Sequence, residues 1–229
     1  TYLIIPAETT LTVADEIRHI EDWSKENNLN LNRAKSREII FTRTRARCHQ
    51  VIYPPVIVDI PRVEKLTVLG VVVNAKLTVS DHVTDVINSC SRNLYALKML
   101  QTHGLTGQSL HHVFTAAIQS KLLYCSPAWS GFTTAADRRR LDVFIRRSKR
   151  YGYCSPDALP VSELFDNADN ALFRAIINNS SHILGHFLSI KSRNNYNARH
   201  RKHNFELIKK TTSLGDRNFL IRMLYKDIY

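Results

Sequence analysis

The change of pattern that decides the fold lies in residues 65–102, KLTVLGVVVNAKLTVSDHVTDVINSCSRNLYALKMLQT. Residues 65–73 are rich in β-branched side chains, which is typical of strands. Residues 80–102 instead repeat apolar side chains at alternating steps of four and three, which predicts one buried face of a long helix. These apolar positions are Val83, Ile87, Cys90, Leu94 and Leu97. The sequence therefore predicts β structure that ends before residue 78 and a helix that begins near residue 80.

The two sides of residue 78 differ in their predicted secondary structure. Before it, residues 2–5, 38–41 and 56–58 read as short strands and residues 9–28 as a helix, an α+β pattern. The apolar face of that helix carries Val13, Ile17, Ile20 and Trp23. After it, the periodicity predicts only helices, then an irregular polar stretch. The helices are expected at 80–102, 108–124, 135–151, 161–167 and 168–180, the irregular stretch at 185–212, and a terminal helix capped by Asp216.

The predicted fold class is thus α+β, with a short antiparallel sheet and one helix followed by an all-helical bundle and an irregular basic tail. The corresponding regions are 1–78, 79–182 and 183–229.

Composition narrows the class of protein. The 229 residues contain 32 Lys and Arg against 20 Asp and Glu, a net charge of +12, and 44% of them are hydrophobic. This hydrophobic share excludes wholesale disorder. No apolar run approaches the roughly 18 residues of a membrane span, so no membrane partner is expected. The positive charge favours an acidic partner, above all RNA or DNA.

The cysteines and histidines form no recognisable metal or disulfide pattern. The cysteines are far apart, which is typical of reduced thiols and predicts an intracellular protein of the nucleus or cytoplasm. They are Cys48, Cys90, Cys125 and Cys154. Two histidine pairs have ligand-like spacing, His182 with His186 and His200 with His203, but no cysteine pair accompanies them. The sequence predicts no metal site and no cofactor in this chain.

Residues 138–150, RRRLDVFIRRSKR, hold seven basic side chains and one acid, Asp142. A helical wheel separates a core face from a basic face that can follow a phosphate backbone. The core face consists of Leu141, Phe144, Ile145 and Ser148, and Arg139, Arg146 and Arg150 lie opposite. The candidate nucleic-acid contacts are Arg138, Arg139, Arg146, Arg147, Lys149 and Arg150. The alternative is a solvated surface face.

The tail at 191–210 is also basic. Its candidate nucleic-acid contacts are Lys191, Arg193, Arg199, Arg201 and Lys202. Tyr196 and Phe205 lie among them, and interspersed aromatic side chains suit single strands whose bases stack on rings. The alternative is a flexible tail without a binding role. The loop at 33–47 adds further basic residues.

Several motifs occur in an order and spacing that are more specific than any one of them. They are Trp23-x-x-x-Asn27-x-Leu29-x-Leu31-Asn32-x-x-Lys35, Glu38-Ile39-Ile40-Phe41, Leu69-Gly70-Val71, Leu94-Tyr95-Ala96-Leu97, Tyr124-x-Ser126-Pro127-x-Trp129 and Asp216-Arg217-Asn218-Phe219-x-x-Arg222-Met223-Leu224-Tyr225. Together they cover nearly all of the chain, which resembles the C-terminal part of the reverse transcriptase of a non-LTR retrotransposon, of the jockey-like or CR1-like group.

The resemblance implies that the region before residue 78 is a partial polymerase palm, that the helices after it are a thumb, and that residues 183–229 are a C-terminal extension. Lys35 matches the palm lysine that acts near the incoming nucleotide, although Ser36 replaces the usual threonine after it. Leu69, Gly70 and Val71 match the hairpin that positions the primer end. The implied partners are RNA and DNA as template and primer.

The same resemblance implies that the catalytic aspartates precede Thr1, together with the fingers and the first part of the palm. Mg²⁺ would then be expected only in the complete polymerase, because two-metal phosphoryl transfer needs carboxylates fixed about the ions. We therefore expect a fragment or degenerate copy that binds template and primer but does not polymerise DNA alone. A stand-alone nucleic-acid-binding module remains the alternative. A metal-dependent hydrolase that uses the histidine pairs is disfavoured, since no carboxylate lies at ligand spacing from them.

Overall fold

The strand-to-helix change predicted near residue 78 is present in the structure. In a computed structural model that describes residues 2–6, 13–42, 53–188 and 203–226, strands β1 (Lys65–Val68) and β2 (Val71–Asn74) form a hairpin, and helix α2 (Ser80–Thr102) follows. A connection of two residues permits only antiparallel pairing. Those two residues, Leu69 and Gly70, both have positive φ, 47° and 83°, as a tight hairpin turn requires.

The chain divides into two compact units, the first of which comprises the residues up to Leu66 together with Asn74–Lys76. Besides the ends of the hairpin strands, its described residues form helix α1 (Val13–Glu26) and a 3-10 turn at Arg33–Lys35. Two ion pairs connect distant parts of this unit. The Arg33 guanidinium lies 2.6 Å from Glu21 Oε1, and Arg62 Nε donates to Glu38 Oε2 over 2.7 Å.

The three short strands predicted in this first unit, at residues 2–5, 38–41 and 56–58, are not formed. Residues 2–5 and 56–58 form no strand, and the Ile4 side chain is 88% exposed. Residues 38–41 contribute only a single parallel bridge, between Glu38 and Arg62. An apolar run becomes a strand only when a neighbouring strand satisfies its backbone, and none does so among the described residues. The predicted place of Trp23 on the buried face of α1 is also wrong, since its side chain is exposed.

The second unit comprises Thr67–Val73 and Leu77–Tyr229, and the structure describes it over residues 67–73, 77–188 and 203–226. Its helices after α2 are α3 (Gly107–Phe114), α4 (Ser120–Leu123), α5 (Ser126–Trp129), α6 (Ala135–Arg150), α7 (Val161–Asn178) and α8 (Phe219–Leu224). A π-helical segment at Thr115–Gln119 joins α3 to α4 without a break. Short 3-10 segments lie at Ser130–Phe132, Ile183–Phe187 and Gly215–Arg217.

The helix predictions for this unit are largely confirmed, with two corrections. The separate helices predicted at 161–167 and 168–180 are one helix, α7, because no Gly or Pro interrupts residues 161–178. The cap of the terminal helix is Asn218, whose side chain accepts from the Leu220 N–H, and not Asp216. Of the stretch predicted to be irregular, 185–212, residues 206–212 are irregular as expected, residues 185–187 belong to a 3-10 segment instead, and residues 189–202 lie outside the described residues.

Two hydrophobic cores stabilise the second unit. The first packs α2, α3, α4, α6 and the start of α7 around the buried side chains of Trp129 and Leu141. The second packs the end of α7 against α8 and the segment near Phe205. Within the part of the chain that the structure describes, no helix is both long and apolar enough to cross a membrane. The partition into palm, thumb and extension stays a prediction.

Candidate nucleic-acid interface

Helix α6 carries the main candidate surface, and its first turn is fixed by a capping box. Thr134 Oγ1 accepts from the Asp137 N–H, and Asp137 Oδ2 accepts from the Thr134 N–H over 3.1 Å. Asp137 Oδ2 also accepts from the Ser80 hydroxyl at 2.8 Å, which ties α6 to the start of α2. Burial alone would raise the pKa of Asp137, but hydrogen bonds from Thr134 and Ser80 outweigh it and hold the pKa below its ordinary value.

The buried face of α6 is the one that the helical wheel predicts. Leu141, Phe144, Ile145 and Ser148 are buried, and the Ser148 hydroxyl donates to the Phe144 carbonyl at 3.0 Å. The buried hydroxyl of Ser148 therefore has its hydrogen-bond acceptor within the same helix. With this face fixed in the core, the basic side chains are directed outward.

Apart from Arg140, the basic side chains of α6 separate into two groups that the wheel does not distinguish. Arg138, Arg139, Arg146 and Lys149 line a concave groove of about 500 Å³. The other residues that line this groove, called the α6 groove below, are Ala135, Asp142, Ile145 and Pro160. The predicted line of Arg139, Arg146 and Arg150 is thus divided, because Arg150 belongs to the second group.

The second group surrounds Tyr151 at the end of α6. The guanidinium carbons of Arg147 and Arg150 lie 5.7 and 5.8 Å from the centre of its ring, within range of a cation–π interaction. These two arginines are therefore partly engaged with an aromatic side chain of the same unit. Tyr151 itself is exposed.

The cations of the α6 groove are mostly free to bind an anion. Arg138 Nε donates to Thr133 Oγ1 at 2.9 Å, which leaves its terminal nitrogens available. The side chains of Arg139, Arg146 and Lys149 have no ion pair or hydrogen bond within the described ranges. Arg140, by contrast, lies outside the groove and is engaged, with Nη1 3.6 Å from Asp137 Oδ1 and Nη2 donating to Thr84 Oγ1 at 2.9 Å.

The hairpin tip at Leu69, Gly70 and Val71 is the second candidate surface. Leu69 is 73% exposed, and its carbonyl accepts from the Tyr124 hydroxyl at 3.2 Å. A Cβ on Gly70 would lie 3.1 Å from Tyr124 Cε1, and the positive φ of Gly70 already disfavours a side chain there. Val71 is half-buried against the first core. The tip is thus held from the side by an aromatic ring and presents one apolar side chain to solvent.

His82 and Trp129 support this hairpin from inside the first core, a role that their place in the sequence does not predict for either residue. His82 Nδ1 accepts from the Val72 N–H at 3.3 Å, and the His82 ring meets Trp129 edge to face at 4.9 Å between centroids. Burial lowers the pKa of His82, an effect that Asp85 partly opposes. Trp129 Nε1 in turn donates to the Tyr124 carbonyl at 3.0 Å. The signal in the sequence was the spacing Tyr124-x-Ser126-Pro127-x-Trp129.

The remaining candidates are less well defined. Lys35 is exposed in the 3-10 turn of the first unit, and its backbone N–H donates to Asn32 Oδ1 at 3.0 Å. The tail residues Lys191, Arg193, Arg199, Arg201 and Lys202 lie outside the described residues. Among the residues that are described, no group of His, Cys, Asp and Glu side chains is arranged to hold a metal ion.

Comparison of the chain with protein-family models, curated proteins and solved structures finds no match. Its function is therefore inferred from the residues and their arrangement.

Proposed function

We propose that this chain binds template and primer nucleic acid as the late palm, thumb and C-terminal extension of a non-LTR retrotransposon reverse transcriptase, without the catalytic aspartates. Its partners are RNA and DNA, and its location is intracellular, in the nucleus or the cytoplasm. The fingers and first part of the palm are its covalent partners in the full-length protein, and Mg²⁺ belongs to that complete polymerase. The order of the sequence motifs supports the polymerase assignment.

The observation that carries the binding proposal is the α6 groove. Arginine forks match the oxygen pairs of a phosphate group, and Arg139 and Arg146 have no internal partner within the described ranges that competes for their donors. Four cations with one carboxylate make this surface strongly positive. Such surfaces bind nucleic acid mainly through phosphate contacts, with little dependence on base sequence.

A stand-alone binding module is the second candidate function. The described residues that line the groove all belong to the second unit. This observation favours a module that binds nucleic acid without synthesis. Both candidates predict binding, and they differ in whether a polymerase reading frame continues upstream of Thr1.

The proposal is tested by the salt dependence of binding to a labelled single-stranded RNA and to an RNA–DNA hybrid. If about six phosphates are neutralised, the logarithm of the single-strand binding constant falls with a slope of about −4 against the logarithm of salt concentration. Substituting Arg139, Arg146 and Arg150 by Gln should flatten that slope by about two units. The matched control removes three exposed cations elsewhere, in R92Q/K98Q/R174Q, and should change the slope less.

A second measurement tests the expectation that the chain alone lacks polymerase activity. Purified protein is incubated with a primed RNA template, nucleotides and Mg²⁺ or Mn²⁺, and primer extension is followed. We expect binding without extension, because metal-dependent transfer needs carboxylates about the ions. Extension that depends on the metal would refute this part of the proposal, and absence of binding at low salt would refute all of it.

A further inference from the structure

Among the described residues, Asp142 is the only acidic side chain that lines the α6 groove. It lies on the helix between the cations at 138 and 139 and those at 146 and 149. Its Oδ1 accepts from the backbone N–H of Val161, the first residue of α7, at 3.4 Å. Asp142 makes no ion pair with the arginines beside it within the part of the chain that the structure describes.

We infer that the α6 groove seats one phosphodiester unit of a bound strand and that Asp142 is a built-in anion that limits the affinity of this seat. The inference rests on the proposed function, because it names the part of the strand that the same surface binds. It goes further in assigning to Asp142 an effect opposite to that of its neighbours: the arginines attract the strand, and Asp142 weakens its binding.

The shape of the groove supports a seat for a whole nucleotide unit. The volume of the groove, about 500 Å³, is larger than a bare phosphate needs, and the groove is open to solvent, as a site for one unit of a continuing strand must be. The lining combines four cationic side chains with the nonpolar side chains of Ala135, Ile145 and Pro160. This combination suits a phosphate with the sugar that it carries.

The position of Asp142 explains why a carboxylate is tolerated in a nucleic-acid-binding surface. The N-terminus of α7 presents unpaired backbone N–H groups and the positive end of its dipole, and a carboxylate there stabilises the helix. Asp142 therefore has a structural partner in Val161, yet its negative charge remains inside the groove. A phosphate that enters the groove must approach this charge.

The size of the effect follows from electrostatics. The α6 groove is open to water, and two unit charges about 3 to 6 Å apart in water repel by an amount that corresponds to about three- to tenfold in a binding constant at low salt. Removing the Asp142 charge should therefore tighten binding by about three- to tenfold, and the gain should shrink as salt increases. Removing Arg139 and Arg146 should weaken binding and flatten the single-strand salt slope by about 1.4 units.

The decisive variant is Asp142→Asn. Asparagine keeps an oxygen at the position that accepts from the Val161 N–H, so the start of α7 is preserved while the charge is lost. The matched control is Asp157→Asn, which removes the same charge from an exposed residue that does not line the groove. R139Q/R146Q is compared with R92Q/R174Q, in which two exposed arginines outside the groove are changed.

Binding of the full chain to a labelled single-stranded RNA of about 16 nucleotides is measured by fluorescence anisotropy between about 50 and 200 mM salt. We expect D142N to bind more tightly than wild type, D157N to stay within about twofold, and R139Q/R146Q to lose more than R92Q/R174Q. Equal affinities of D142N and D157N would overturn the role of Asp142. Equal losses in the two arginine double variants would overturn the seat.

A second readout separates failure of this inference from failure of the proposed function. The Nε–H resonances of Arg139 and Arg146 are followed by NMR while uridine monophosphate is added. Shifts at these two arginines that are enhanced in D142N support the seat even if long strands bind elsewhere. Strand binding without any shift would leave the proposed function standing and refute the seat. If clear shifts occur at the two arginines but no strand binds, the proposed function is refuted and the seat is not.

Discussion

Replacing Arg222 by Met should destabilise the second unit by about 3–5 kcal/mol, because it leaves a buried carboxylate without a partner. Arg222 Nη1 donates to Asp169 Oδ2 at 2.6 Å, and the Asp169 side chain is only 2% exposed. The other oxygen of Asp169, Oδ1, has no hydrogen-bond partner among the described residues. Arg222 is thus the residue that compensates the Asp169 charge.

The magnitude follows from what Arg222 connects. Its Nη2 donates to the Pro127 carbonyl at 3.3 Å and to Ser130 Oγ at 3.4 Å, and its Nε donates to the Arg217 carbonyl at 3.2 Å. One side chain on α8 therefore binds α7 and the turn around α5. Loss of these neutral contacts adds to the cost of the unpaired carboxylate, which places the expected value near the top of the range.

The assay is equilibrium unfolding in urea, with the free energy of unfolding obtained by linear extrapolation. The matched control is Lys226→Met. Lys226 pairs with Asp166, whose side chain is 62% exposed, so loss of this pair should reduce the free energy of unfolding by at most about 1 kcal/mol. The double variant R222M/D169L should recover part of the loss, because it no longer buries a charge. An R222M variant that costs no more than K226M would refute the compensating role of Arg222.

Three further predictions concern other buried positions. Burial lowers the pKa of His82, so the unfolded chain binds a proton at this histidine before the folded protein does as the pH falls. The free energy of unfolding should therefore decrease on acidification below pH 6.5, by at most about 1.4 kcal/mol per pH unit from this group. The H82N variant should show a smaller decrease. Gly131→Ala should cost about 1–3 kcal/mol, since the new methyl group would meet the Arg217 carbonyl. Burial raises the pKa of Cys90 to about 11, so a thiol reagent at about pH 8 should label exposed Cys125 and spare Cys90.

Each of these predictions has its own control. An unfolding free energy with the same pH dependence in H82N and wild type would contradict the first. Gly185→Ala, where nothing lies within 4 Å of the new methyl group, should be nearly neutral, and a cost equal to that of Gly131→Ala would contradict the second. Labelling is measured in a Cys48→Ser background, and equal rates at Cys90 and Cys125 in the folded protein would contradict the third.

The sequence predicted the second unit better than the first, and the reason is the number of apolar positions per element. Helix α2, for example, has a buried face long enough to be recognised from the spacing of its apolar residues, of which Val83 and Cys90 are fully buried. The segments at 2–5 and 56–58 offer only a few apolar residues each. Whether such a short run pairs depends on distant segments, which local periodicity does not reveal.

The periodicity of residues 108–124 predicts a helix but not its π-helical segment, although the sequence contains a signal for that segment. Leu110, Phe114, Ile118 and Leu122 are all buried and are spaced by four residues each time. An α-helix with about 3.6 residues per turn would rotate the last of these away from the core, and a wider turn restores the alignment. The carbonyl of Ala117 in this segment accepts from Asn93 Nδ2 at 3.0 Å, which stabilises the irregular backbone.

The sequence predicts which basic side chains of α6 face outward but not how they are grouped. The helical wheel places Arg139, Arg146 and Arg150 on one side of α6, and a wheel treats the helix as isolated. In the structure the start of α7 closes one side of the α6 groove, and Tyr151 attracts Arg150. Tyr151 and the start of α7 both lie beyond residues 138–150, the pattern to which the wheel was applied. Their effect on the arginines is therefore visible only in the tertiary structure.

Helix α7 contributes to both hydrophobic cores, and this arrangement sets the order in which the second unit should open. Val161 and Phe165 belong to the first core, whereas Phe173 and Ile176 belong to the second. Detachment of α8 would fray α7 from its C-terminal end while its first turns stay anchored. Amide hydrogens near residue 176 should then exchange with deuterium before those near residue 165. The α6 groove, which depends on the start of α7, would keep its shape through this partial opening.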